Sequence, residues 1–218
     1  MNTFQLTKQL RNEMRRYRIA ATEFLLNDFP TEHRRRAMVI LKANLEFQVF
    51  NDMTGTVCVC QRRKRIPSTT AIARCVAAQT FCRASESKRT LLTRNEVTRF
   101  FPTLFRHGLP AGYYVDTSTE TPRLGLLRVD VHLSPVNRIW QRSLDAVEKH
   151  RQQSAFRKLI LADQFEITWL VATEPKVNAI RQMAGKQQRE TAVDAHVVSS
   201  LLNQLTPLSN TFPDVVGL

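Results

Sequence analysis

The stretch "GYYVDTSTETPRLGLLRVDVHL", residues 112–133, decides the fold. Apolar and β-branched residues on either side of "TETP" predict two strands joined by a turn. In a basic chain such a hairpin has two readings. It is the wing of a winged helix-turn-helix, or it opens a nuclease-like core in which Asp116 and Asp130 share an edge and hold a metal. The second is favoured. "FEITWLVAT", residues 165–173, is the clearest strand of the chain, and it needs neighbours that the hairpin supplies.

Around these strands the pattern predicts helices. "SPVNRIWQRSLDAVEKHRQQ" starts one near Pro135, "SAFRKLILA" a short second, and "EPKVNAIRQMAG" a third with Pro175 in its first turn and Gly185 as its stop. Residues 192–205 read as a final helix. Upstream, Leu6, Leu10, Met14, Tyr17, Ala21 and Phe24 recur at helical spacing and predict one helix over 5–27, broken at Pro30. A second is expected over 32–50 with Thr31 as its cap, and "TVCVC" as a short strand. A third spans 68–81, and a fourth 93–107, with Thr93 and Glu96 at capping-box spacing and Gly108 as its end. The expected fold class is α+β (mixed α/β): a basic helical N-terminal half and a small, nuclease-like half on a three-strand sheet. The regions are 1–92, 93–206 and a tail, 207–218.

Charge points to the partner. The net charge is +13, and residues 1–110 hold most of it, with 20 Lys and Arg against 8 Asp and Glu. A field of that size attracts polyanions and gains from counterion release, so DNA is the expected partner. Lys8, Arg11, Arg15 and Arg18 form one helical stripe. Arg34, Arg35 and Arg36 sit in the first turn of the second helix, where cations oppose the helix dipole and so serve a partner. Arg62, Arg63, Lys64 and Arg65 are consecutive and read as a phosphate-gripping arm. In the wing reading, Arg94, Asn95 and Arg99 face the major groove.

The nuclease reading assigns catalysis to Asp116, Asp130 and His132, with Asp116 and Asp130 on Mg²⁺. The triplet Asp130-Val131-His132 stands where such cores carry an acid, any residue and a lysine. The bland alternative gives both acids structural partners: a turn for Asp116, Arg128 or Arg142 for Asp130. Tyr113 and Tyr114 are expected as one buried and one exposed strand residue rather than as nucleophiles. The five histidines show no metal spacing, and there is no Gly-rich phosphate loop and no G-x-S-x-G. Four cysteines without paired knuckles read as buried thiols. No apolar run is long enough for a membrane span, and a cytoplasmic location is expected.

The run "GYYVD…LRVDVHL…RIWQRSLDAVEKHR…FEITWLVATEPKVNAIR" resembles the C-terminal half of replication-relaxation and mobilisation proteins of plasmids and integrative elements. That resemblance covers roughly residues 93–185. It implies a basic helical or winged N-terminal region followed by a degenerate nuclease-like domain. It also implies an accessory or initiator-like role in conjugation, mobilisation or replication, at an origin of transfer, an origin of replication or a promoter. The partners are then DNA and a relaxase, replication or transcription protein, with a homodimer left open. A metal-dependent nickase and a winged-helix transcriptional regulator are the alternatives.

Overall fold

Two sheets, tied by one buried helix, organise the chain. The computed structural model describes residues 2–62, 65, 67–84, 88–102, 112–186 and 191–205. The fold is α+β. Its N-terminal unit runs α1 (Thr3–Tyr17), β1 (Ile19–Ala21), α2 (Thr22–Asn27), α3 (Thr31–Ala43), β2 (Phe47–Asn51) and β3 (Val57–Gln61). The strands form an antiparallel sheet ordered β1-β3-β2. This is the element order of a winged helix-turn-helix, with α2 and α3 as the helix pair and the 52–56 turn as the wing.

The helix expected over 5–27 is therefore three elements. Arg18 takes φ 63, and its N–H closes α1 on the Met14 carbonyl; Ile19–Ala21 then pair with Cys60–Cys58. The helix expected to reach residue 50 ends at Ala43. Asn44 turns the chain by accepting from the Glu46 N–H, and Phe47–Asn51 pair with β3. Cap chemistry, not glycine or proline, makes both breaks.

The second sheet holds β4 (Arg89–Leu91), β5 (Tyr113–Asp116), β6 (Arg123–Val129), β7 (Phe165–Val171) and β8 (Ala192–Val197), in that spatial order. Only β5 runs against the rest. The sheet has five strands, not three. Residues 192–197, expected as helix, form β8 beside β7, and the last helix is confined to Ser200–Leu205. β4 also places residues 89–91 in this sheet, upstream of the boundary expected at 92.

The remaining helices are α4 (Thr69–Arg83), α5 (Arg94–Phe100), α6 (Val136–Arg151), α7 (Ser154–Leu161), α8 (Glu174–Lys186) and α9 (Ser200–Leu205). The order α5-β5-β6-α6-α7-β7-α8 is the one read from the sequence. Gly185 lies inside α8 and does not stop it. The capping box of α5 is present, with Thr93 Oγ1 accepting from Glu96 N–H and the Glu96 carboxylate from Thr93 N–H.

Helix α4 is apolar almost all round, as a helix packed on two sides must be. Ile72 and Val76 join Ile19, Cys58 and Cys60 of the first sheet, while Ala73, Ala77 and Phe81 join Tyr114, Leu127 and Leu170 of the second. Gln79 accepts from the Ala21 N–H at 2.9 Å, and Arg83 pairs with Glu13 at 2.8 Å and with Asp28. On the other face of the five-stranded sheet, α6, α7 and α8 bury Ile139, Val147, Phe156 and Ile180 against Leu126, Ile167 and Trp169. The four cysteines are free thiols. Burial pushes Cys58 and Cys82 up to about 12, so neither is a ready thiolate.

Tyr114 lies across its cross-strand partner Gly125, where a Cβ would stand 2.1 Å from the phenol ring. Hydrogen bonds to Thr168 at 2.7 Å and to Glu166 pin that ring. Gly125→Ala is expected to cost about 1–3 kcal/mol through overpacking and to lower the unfolding midpoint by roughly 3–10 °C for a chain of this size. Calorimetry of the single variant and of Gly125→Ala/Tyr114→Leu checks it. An unchanged midpoint in the single variant would show that the ring does not occupy this site.

Candidate nucleic-acid interface

Helix α3 is built to expose one row of side chains. Ala37 and Leu41 are buried, and α3 packs on α1, α2 and β2. Glu32, Arg35, Val39 and Lys42 follow at spacings of three and four on the exposed side. Val39 is 59% exposed. Of the expected DNA-binding cations here, Arg35 and Arg36 are exposed. Arg34 Nε donates to the Phe29 carbonyl at 3.1 Å and so locks the α2–α3 turn. Arg36 donates to Thr3 Oγ1 and bonds α3 to α1. Pro30, not Thr31, occupies the α3 cap position, and no side chain caps the helix. The His33 N–H bonds the Pro30 carbonyl at 2.8 Å, and no side chain caps the N–H groups of Thr31 and Glu32 before it.

The wing is short and carries an acid. Asp52 accepts from the N–H groups of Thr54 and Thr56 at 2.8 Å, and Gly55 takes φ 82. Those bonds hold the Asp52 carboxylate within the turn. Arg62 follows β3 directly, its N–H on the Glu46 carbonyl. Arg65 is exposed, and Arg63 and Lys64 lie outside the described residues.

The α1 stripe divides. Arg11 is engaged by Glu46 at 2.7 and 2.9 Å, Lys8 is exposed, and Arg15 and Arg18 turn toward a cleft at the junction with the second sheet. Arg94, Asn95 and Arg99 belong to α5 beside the five-stranded sheet and not to the helix-turn-helix. The helix expected at 93–107 to precede a wing therefore lies beside a sheet, and the hairpin at 113–129 is an interior part of that sheet, not a wing. Residues 103–107 of that helix lie outside the described residues.

The acids do not converge. Asp116 pairs with Arg123 across the hairpin, and Asp130 lies seven residues further along the other strand, about 23 Å away at roughly 3.3 Å per residue. Asp116 accepts from Arg89 and from the Ser118 N–H, both at 2.8 Å. Burial alone would raise its pKa, but the bonds from Ser118 and Arg89 outweigh burial and hold it below the usual carboxylate range. Asp130 is bound by Lys176 Nζ and the Ser134 N–H, both at 2.8 Å, and not by Arg128 or Arg142. His132 is exposed and lies on the cleft. Among the described residues, no three His, Cys, Asp or Glu side chains gather as a metal set.

Both tyrosines are buried, correcting the expectation of one exposed. Tyr113 OH meets His150 Nε2 at 2.7 Å, and burial raises both phenols well above their ordinary value, which makes them poor nucleophiles.

Sequence reasoning missed Lys176 and Arg89 as the partners of the acids, and Arg74, Arg128, Arg142 and Lys149 as cleft cations. Arg128 had a signal: a cation in the otherwise apolar strand "LGLLRV". No helix of the described residues is long and apolar enough to cross a membrane. Searches of the chain against protein-family models, curated proteins and solved structures each returned no match.

Proposed function

We propose that the protein is a sequence-directed DNA-binding factor that docks its winged helix-turn-helix on duplex DNA with α3 in the major groove. The observation that carries this reading is the outward row Arg35, Val39 and Lys42 on a helix held by the α1–β1–α2–α3–β2–β3 frame. Arginine and lysine donate to guanine edges, and an apolar side chain between them suits a thymine methyl. The uncapped α3 N-terminus and the Arg62–Arg65 arm add sequence-independent phosphate contacts. The setting follows the resemblance of the C-terminal half: an accessory or initiator-like factor of a mobile element, acting at an origin of transfer, an origin of replication or a promoter. With Asp116 and Asp130 at opposite ends of the hairpin and each already bonded, this reading routes no metal step through them.

A duplex selected by the wild-type protein from a random pool provides the test. Arg35→Ala/Lys42→Ala is expected to weaken that duplex about 10- to 100-fold at 0.15 M salt and to relax preference at the selected positions. Arg62→Ala/Arg65→Ala is expected to weaken selected and scrambled duplexes alike and to flatten the salt dependence by about two in log–log slope. Recovery of no enriched sequence, or equal loss on scrambled duplex for the α3 variant, would refute the reading.

A further inference from the structure

A cleft of about 1080 Å³ opens where the end of α1 meets α4, α5, the adjoining ends of β5 and β6, and α6. It is remote from the wing. Strand β1 follows Arg18 beside the cleft and leads to Thr22, whose hydroxyl bonds the Val57 carbonyl where β3 leaves the wing.

The lining is unusually cationic. Among the described residues eight Lys and Arg side chains border it, with Asp145 as the lone carboxylate. Arg16 is spoken for by Glu96 at 2.9 Å and by the Leu91 carbonyl. Arg15, Arg18, Arg74, Arg128, Arg142 and Lys149 form no salt bridge among the described residues. Arg128 is the telling one. Its guanidinium is half-buried, burial and the facing Arg142 both lower its pKa, and it sits on a strand where an apolar residue would pack at no electrostatic cost. A half-buried cation facing another cation is costly unless an anion joins them.

Apolar side chains make the floor of the cleft, Leu91, Leu127 and Val129 from the cluster on the α4 side of the sheet and Val97 and Trp169 from the cluster on the α6 side. Two features select the ligand. A phosphate monoester carries about −2 at most, so six cations that form no salt bridge among the described residues, against one acid, call for several phosphates in succession. Duplex DNA turns its phosphates outward and hides its bases, so it has no use for an apolar floor. A single strand presents both.

We propose that this cleft is a second nucleic-acid site, which takes a single-stranded phosphodiester segment with its phosphates on the cationic walls and its bases toward the apolar floor. The proposal rests on nucleic acid being the partner, but not on α3 as the reading helix. A protein that grips duplex at α3 and a single strand here is suited to DNA that is opened beside its recognition site.

The test measures anisotropy of the full chain with two probes: a labelled dT20 and the duplex selected by the wild type. Two variants each alter one wall at exposed positions, Arg142→Glu/Lys149→Glu on α6 and Arg15→Ala/Arg74→Ala on α1 and α4. Both are expected to lose dT20 binding by tenfold or more, while duplex binding stays within about threefold. The Ala pair is also expected to flatten the dT20 salt slope by about 1.4, since each phosphate contact on a single strand contributes roughly 0.7. Arg35→Ala/Lys42→Ala should do the reverse. Retention of dT20 binding within twofold in both cleft variants overturns the proposal, as does equal displacement of dT20 by a polyglutamate of matched charge. Loss of duplex selection with dT20 binding intact would sink the α3 reading and leave the cleft standing.

Discussion

Lys176→Met is expected to destabilise the protein by about 3–5 kcal/mol, because it strands a carboxylate inside the fold. The Asp130 side chain is 2% exposed and that of Lys176 17%, and they meet at 2.8 Å. The pair joins the end of β6 to the first turn of α8, so it also fixes the turn that leads from the sheet to Ser134 and α6. Removing the lysine leaves the Ser134 N–H as the remaining partner of Asp130, too little to replace the solvation that a buried charge has lost. Removing both charges should be far milder. Lys176→Met/Asp130→Asn keeps an acceptor for the Ser134 N–H and holds no uncompensated charge, so the double variant should be more stable than Lys176→Met alone. Chemical denaturation of the three proteins at pH 7 gives the comparison. If Asp130 belonged to a metal-binding pair instead, Asp130→Asn in the wild-type background would relieve repulsion and raise stability. The salt bridge predicts a loss.

That pair shows where the sequence could be read and where it could not. The second half was legible by element type because its strands are apolar runs of ordinary length: "FEITWLV" is bounded by Gln164 and by the Pro175 helix start, and "RLGLLRV" follows a Thr-Pro turn. The order of elements from α5 to α8 follows directly. The N-terminal unit was read as helices because β1 has three residues and no flanking glycine or proline, and its alanines fit a helix as well as a strand. Only pairing with Cys58–Cys60, and α4 pressed over it, makes Ile19–Ala21 a strand. β8 failed in the same way. "AVDAHV" has no decisive period, and its identity comes from lying parallel to β7. The outward row on α3 was half visible. The arginine run drew attention, but which two of the three are engaged within the fold depended on where Phe29 and Thr3 stand. The cleft was invisible to any local pattern, since its walls come from α1, α4, α5, β6 and α6. Two acids fourteen residues apart looked paired for the opposite reason: a hairpin brings together residues equidistant from its turn, and Asp116 and Asp130 are not equidistant from "TETP".

The second large effect belongs to His150, and it appears as acid instability well above the carboxylate range. His150 is 1% exposed and packs among Tyr113, Phe156 and Phe165. Its Nδ1–H donates to the Ala146 carbonyl and its Nε2 accepts from the Tyr113 hydroxyl, an arrangement that only the neutral ring satisfies. Burial pushes its pKa down to about 4; the Ala146 bond opposes this, and the Arg128 and Lys149 charges add to it. The unfolded chain, with a histidine near its usual 6.5, therefore binds the proton more readily than the folded chain does. The full stability is present above pH 6.5 and is lost as pH falls from 6.5 toward 4, where the loss levels off at about 3 kcal/mol. Between pH 7 and pH 5 about 2 kcal/mol should go. Asp116, Glu96 and Asp194 have folded pKa values below their unfolded ones, so their contribution is lost only at lower pH, as each passes from its unfolded value toward its folded one. The two windows are separable. His150→Gln, which has no proton to gain, should remove the loss between pH 7 and 5 and leave the lower one in place. Denaturation midpoints at pH 7, 6 and 5 for both proteins decide it: parallel curves would mean that the ring already exchanges its proton in the folded state, and that the Tyr113–His150 bond does not lock the neutral form.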